Sequence, residues 1–252
     1  MAISKCFITF RNKMTHFDND LDFFDILSKP IENGDYSNEE ELFPGSSDER
    51  LTTLSQLSQY KIGTQNRRSV VNHLRNTLYT AYIKDLYEEF CIYLKGIMKE
   101  VYINAKVTPE RLSGEHKVTL SSVDILQHLQ IGDLADVVID QIFQLLEQER
   151  STIELIRKFH KKIGICIDEE LVNKAIDYLE IRHKLVHADG YVDEDFKKKH
   201  KLLKYTSNNK IKLDYSTIRQ AREAVHSLVS DMDSKLISAE LAKSHTYKNE
   251  LV

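Results

Sequence analysis

Arg182, His183 and His187 lie close together in the segment Ile181-Arg182-His183-Lys184-Leu185-Val186-His187. Histidine titrates near neutrality and can therefore accept and donate protons, whereas arginine keeps its charge and offers several donors to an anion. The apolar positions before the segment indicate that it lies in the last turns of a helix. This helix end is the strongest candidate for a chemical site in the chain.

Two simpler explanations apply to the same residues. Cations near a helix C-terminus are favoured by the helix dipole, whatever their function. His183 and His187 are also four residues apart and could contact one metal ion, with Asp189 as the nearest further ligand. Arg182 and His187, however, lie about 140° apart around an ideal helix and do not share one face unless the helix end unwinds.

The spacing Arg182-x-x-x-x-His187 near the end of an apolar helix resembles the signature of HEPN proteins. His183 fits the second position of that signature, and Ala188-Asp189-Gly190 is similar to the small and polar residues that follow it. The resemblance covers roughly residues 66–242 and is greatest to HEPN proteins of bacterial defence and toxin systems.

The resemblance implies a metal-independent endoribonuclease that needs no cofactor and acts as a homodimer on RNA. In such a dimer two Arg/His sets face one groove, and the ribose 2′-hydroxyl attacks the adjacent phosphate. His187 would transfer protons, Arg182 would bind phosphate oxygens, and His183 would orient the site or share the proton transfer. Residues on different faces of one helix can converge with those of a symmetry mate.

The resemblance also allows a second function, a non-catalytic HEPN module that holds a partner protein or an antitoxin. An unrelated helical protein with the spacing by chance is the third alternative. Tyr191 follows His187 by four residues, whereas some HEPN toxins have a modified tyrosine two residues after the histidine, where this chain has Asp189.

A lysine-rich segment (residues 197–212) follows the motif. Lysine runs are usually solvated faces, but beside a nuclease motif they can hold the phosphates of RNA. The candidate RNA-binding residues are Lys184, Lys197, Lys198, Lys199, Lys201 and Lys204.

The elements that must position these residues are helices. Apolar residues recur every three or four positions from Val70 to Tyr102, which predicts one long helix. Ser151 and Gly164 are typical of the start and end of a shorter helix, and Asp168 is typical of the start of the helix that runs to His187. Asp214 or Ser216 begins a last helix that reaches about Lys243. The expected fold is an all-α, HEPN-like bundle of about five helices in residues 61–245.

Residues 1–60 differ in composition and are predicted to be a mainly irregular, acidic N-terminal segment. The stretch from Ile31 to Glu49 has seven acidic residues and no basic one, which is typical of a linker. Apolar residues between Phe7 and Leu27 indicate that the preceding part is partly ordered or docks on another surface.

Composition favours a globular protein of the cytoplasm. The 252 residues include 8 Gly and 3 Pro, and the formal net charge of −4 argues against general coating of nucleic acid. Three scattered cysteines are expected to be reduced, with Cys91 and Cys166 packed in the core. No apolar run is long enough for a membrane span.

Overall fold

The computed structural model describes residues 2–33, 67–115, 117–131, 133–149 and 151–246. Regular structure in these ranges is almost entirely helical, which confirms the all-α prediction. The helices are α1 (Lys5–Asn33), α2 (Arg67–Ile103), α3 (Pro109–Ser113), α4 (Ser122–Ile131), α5 (Leu134–Glu147), α6 (Thr152–Ile163), α7 (Glu169–Leu179), α8 (Ile181–His187), α9 (Glu194–Lys199) and α10 (Tyr215–Ser238). None of these helices is long and apolar enough to cross a lipid bilayer.

The N-terminal segment departs from the predicted irregular structure. Lys5–Asn33 is one helix, and Pro30 is accommodated in its last turn. Phe7, Phe10, Met14 and Leu21 are buried at a spacing of three, four and seven residues, so they form one apolar stripe. This periodicity is visible in the sequence, and the helix agrees with the prediction that the part before the acidic stretch is partly ordered. The predicted linker lies mostly outside the described residues.

The chain divides into two compact units. One unit comprises Met1–Met14 and Ile83–Val252, and the other comprises Thr15–Tyr82. The first residues join the larger unit because Ala2 and Ile3 (β1) pair antiparallel with Thr246 and His245 (β2). The buried side chains of Phe7 and Phe10 extend this attachment.

The core of the larger unit is centred on α7 and α10, which pack against each other. The stripe of α10 that includes Ile218, Val225 and Met232 is almost fully buried, as are Val172 and Ala175 of α7. Burial of each large apolar side chain contributes about 1.5–3 kcal/mol to folding. Because α7 is packed against α10, the position of the chain that leads into the candidate motif is fixed.

Local sequence signals set several helix ends as predicted. Ser151 Oγ accepts a hydrogen bond from the Glu154 backbone N–H, and Gly164 ends α6 at a φ of 86°. Asp168 caps α7 by accepting from the backbone N–H groups of Glu170 and Leu171. Asp214 starts α10, which ends at Ser238 and is shorter than expected.

In the smaller unit, described for residues 15–33 and 67–82, the C-terminal part of α1 runs antiparallel to the N-terminal part of α2. The Tyr82 hydroxyl donates to Asp18 Oδ1 at 2.9 Å. Farther along α1, the Arg75 guanidinium pairs with Glu32 at 3.0 Å and with Asp25 at 3.5 Å. Polar contacts therefore hold these parts of α1 and α2 together at both ends of the pair.

Candidate active site

The motif does not lie at the end of one continuous helix, as the sequence predicts. Glu180 interrupts the helix, so that α7 ends at Leu179 and the seven-residue α8 carries Arg182, His183 and His187. The chain stops α8 through two hydrogen bonds to the Lys184 carbonyl, from the N–H groups of Ala188 and Gly190. Gly190 has a φ of 79°, a conformation that suits a residue without a side chain.

The motif side chains border one concavity of about 460 Å³ in the larger unit. Its lining includes Arg182, His183, Lys184 and His187, together with Tyr87 of α2 and Phe196 of α9. Arg182 and His187 therefore reach the same space, although their positions on an ideal helix diverge by about 140°. The structure brings together all three predicted catalytic residues within one chain.

The Arg182 guanidinium lies over the Tyr87 ring, with its central carbon 5.1 Å from the ring centroid. A cation–π contact of this kind contributes about 0.5–1 kcal/mol and limits the motion of the arginine. Burial raises the pKa of Tyr87 above its ordinary value, so this phenol stays neutral. Tyr87 comes from a distant helix, and no local pattern in the sequence connects it with the motif.

His183 and His187 form a ring pair with centroids 4.6 Å apart. Burial lowers the pKa of His183, and the neighbouring His187, Lys184 and Arg182 lower it further. His183 is therefore neutral at neutral pH and can accept a proton. In the part of the chain that the structure describes, the pair does not belong to a group of three or more metal-ligating side chains.

Lys184 is the one predicted RNA-binding lysine that lines the concavity. Its ammonium group lies 5.1 Å from the centroid of the Phe196 ring and 3.6 Å from Asp193 Oδ2. The Phe196 backbone N–H and Lys184 hold the pKa of Asp193 below its ordinary value. The lysine is thus tethered at the edge of the concavity.

Lys197, Lys198, Lys199, Lys201 and Lys204 do not line this concavity. Most of them pair with carboxylates: Lys197 with Glu194, Lys198 with Asp195, Lys199 with Glu180 and Lys204 with Asp214. Lys201 is exposed. The positive charge of the lysine-rich segment is therefore largely balanced by its own acidic neighbours.

His200, which the sequence places among these lysines, is fully buried. Its Nδ1 lies 2.7 Å from Asp177 Oδ1, and its Nε2 lies 3.4 Å from Glu180 Oε2. Burial alone favours the neutral ring, but the two carboxylates outweigh it and raise the pKa of His200. This histidine is a structural residue that does not line the concavity.

Three carboxylates that the motif does not reveal also border the concavity: Glu147, Glu149 and Glu180. Glu149 Oε1 is paired with the Lys158 ammonium group at 2.7 Å. The site is therefore mixed in charge and not purely basic.

Cys91 is buried as predicted, whereas Cys166 is exposed, because it lies in the loop between α6 and α7.

Comparison of the chain with models of protein families, with curated proteins and with solved structures finds no match. The resemblance to HEPN proteins depends on the motif and stays a prediction.

Proposed function

We propose that the chain is a metal-independent endoribonuclease of the HEPN type. The observation that supports this proposal best is the convergence of Arg182, His183 and His187 on one concavity. A permanent cation and two histidines in contact provide the groups that phosphodiester cleavage by a neighbouring hydroxyl requires.

In the proposed reaction, the ribose 2′-oxygen forms a bond to phosphorus while the bond from phosphorus to the 5′-oxygen breaks. His183, which is neutral at neutral pH, accepts the proton of the 2′-hydroxyl, and His187 donates a proton to the departing 5′-oxygen. Arg182 binds the phosphate oxygens, on which negative charge increases in the transition state. Lys184 adds a further positive charge beside them.

In the proposed assembly, a homodimer places two such concavities along one RNA groove. The exposed lysines at 197, 198, 199, 201 and 204 would then extend the contact to phosphates outside the site. Because most of them are paired with carboxylates, their contribution to RNA affinity is expected to be smaller than that of Arg182. The proposed cellular role is antiviral defence or toxicity, with a partner or antitoxin protein that restrains cleavage.

The test is cleavage of total RNA by the purified chain and by Arg182→Ala and His187→Ala variants. Each substitution is expected to lower the cleavage rate by about 10²-fold or more, because it removes a charge or a proton carrier from the reaction. Arg219→Ala and His245→Ala are matched controls, since both side chains are exposed and lie outside the concavity.

Cleavage is expected to persist in EDTA. Undiminished cleavage by the Arg182→Ala/His187→Ala double variant would exclude the proposal. Strict dependence on an added divalent ion would instead favour a metal held by the His183/His187 pair.

The second candidate function, a non-catalytic HEPN module that binds a partner protein, is favoured by a different observation. In the smaller unit, Phe23, Ile26 and Leu27 of α1 are 64%, 64% and 53% exposed and occupy neighbouring positions on the helix surface. Exposed apolar clusters are typical of protein-binding surfaces. Identical RNA profiles for the wild-type chain and the double variant, with a stoichiometric partner lost in Phe23→Ser/Ile26→Ser, would favour this function.

A further inference from the structure

The sequence predicts one helix from Asp168 to His187, and Glu180 is the residue at which this helix is interrupted. Glu180 also borders the same concavity as Arg182 and His183. Its side chain is only 15% exposed. Taking a carboxylate out of water is costly unless cations or donors compensate it. The contacts of this carboxylate therefore indicate what it does.

Two basic side chains that do not line the concavity contact the Glu180 carboxylate. Lys199 of α9 lies 3.2 Å from Oε2, and Nε2 of the buried His200 lies 3.4 Å from the same oxygen. His200 is in turn held by Asp177 of α7 and lies against the Phe196 ring, with 4.2 Å between the ring centroids and an interplanar angle of 38°. The contacts of His200 with Asp177 and Glu180 thus connect α7 to the residue between α7 and α8.

The second oxygen of this carboxylate is not used in these contacts. Oε1 is buried and has no hydrogen-bond partner within the described ranges. Although burial alone raises the pKa of Glu180, His200 and Lys199 outweigh it and keep the pKa below its ordinary value. Glu180 therefore stays charged at neutral pH.

Glu180 and His183 line the same concavity, and they are three positions apart with Glu180 in a helical backbone conformation (φ −73°, ψ −17°). Burial and the neighbouring His187, Lys184 and Arg182 of α8 lower the pKa of His183, and among its neighbours Glu180 acts in the opposite direction. The other titratable or charged groups that face this concavity are Tyr87 of α2, Glu147 at the end of α5 and Glu149 after it. A small change at Glu180 can therefore alter how readily His183 binds a proton.

We propose that Glu180 is a positioning residue of the candidate active site. Held by Lys199 and the buried His200, its carboxylate fixes the junction of α7 and α8 and places a negative charge in the same concavity as His183. In catalytic terms this inference rests on the proposed function: the proton that His183 accepts from the 2′-hydroxyl is better retained when Glu180 is charged. In this proposal Glu180 acts through His183 and not by binding RNA.

The test begins with a measurement that requires no RNA. The titration of His183 is followed by NMR in the full chain, and its signal is assigned by its loss in His183→Gln. Glu180→Gln keeps the shape of the side chain and removes its charge, so the pKa of His183 is expected to fall. Glu194→Gln is the matched control, because Glu194 is an exposed carboxylate that lies outside the concavity.

A second variant acts on the same carboxylate from the exposed side and does not depend on the folding of Glu180→Gln. Lys199→Ala removes one cation that offsets the charge of Glu180, so the pKa of His183 is expected to rise. Lys198→Ala, the neighbouring substitution with the same loss of charge, is expected to change it less. An unchanged or higher pKa of His183 in Glu180→Gln, or a lower one in Lys199→Ala, would overturn the inference.

Cleavage kinetics provide the second readout. Glu180→Gln is expected to lower kcat about tenfold with little change in KM, because in this proposal Glu180 acts through His183 and not through substrate binding. The acidic limb of the pH–rate profile is expected to move to lower pH together with the pKa of His183. A normal kcat and profile in Glu180→Gln would contradict the inference, whereas a wild-type chain that cleaves no RNA would contradict the proposed function and leave the titration result standing.

Discussion

The larger unit contains two buried carboxylate clusters, and in each the loss of hydration must be compensated by neighbouring groups. The two clusters differ in whether these groups are charged or neutral. Behind the concavity, Asp177 and Glu180 face the cation His200. At the N-terminus, Asp233 of α10 accepts from the Ser4 backbone N–H at 3.0 Å and also from the Ser4 and Tyr93 hydroxyls. Cations surround the first cluster, and neutral donors surround the second.

The difference changes the charge that each cluster retains. Burial raises the pKa of Asp233 because its neutral donors do not offset the loss of hydration. By contrast, the pKa of Glu180 is kept low by His200 and Lys199, which outweigh burial. The N-terminal cluster thus anchors residues 2–10 to the core, whereas the His200 cluster keeps a fixed negative charge beside the motif.

The largest effect on stability is expected from His200→Gln. This substitution leaves Asp177 and Glu180 close together without their buried cation, and breaking such a cluster costs about 3–5 kcal/mol. Urea unfolding at pH 7 measures the free energy of unfolding. A decrease of less than about 1 kcal/mol in the free energy of unfolding would mean that His200 does not stabilise its two carboxylates as their charges suggest.

A smaller effect is expected from Asp233→Ala. The substitution leaves the Ser4 backbone N–H and the Tyr93 hydroxyl without their acceptor, which costs about 1–3 kcal/mol. Asp233→Asn is the matched control, because it keeps one acceptor oxygen and should cost less. RNA cleavage per folded molecule is expected to stay unchanged, and a strong loss of cleavage would contradict the separation of the anchor from the site.

The smallest effect concerns pH. Because the folded-state pKa of His200 is raised above its unfolded value near 6.5, its contribution to stability is complete below that value. This contribution is lost as the pH rises through the folded-state pKa, with a slope of at most about 1.4 kcal/mol per pH unit. Urea midpoints measured between pH 6 and 9 should show this decline in the wild-type chain but not in His200→Gln. Equal slopes in both proteins would remove His200 as the cause.

The sequence by itself determined the features that depend on neighbouring residues. The helical fold, the long α2 and the caps at Ser151, Gly164 and Asp168 follow from apolar periodicity and from hydrogen bonds that span a few residues. The end of α8 after His187 was predictable for the same reason. The helical part of the N-terminal segment was predictable in principle from the spacing of Phe7, Phe10 and Met14, although the acidic composition pointed elsewhere.

Only the tertiary structure decided which distant groups surround the motif. Tyr87 lies almost a hundred residues before Arg182 in the sequence, and no local rule brings their side chains together. In the sequence His200 lies among lysines, which are typical of an exposed segment. In the fold it is buried and contacts Asp177 and Phe196. Burial and charge pairing depend on contacts between elements, so the sequence located the motif while the packing of α2, α7 and α9 around α8 set its environment.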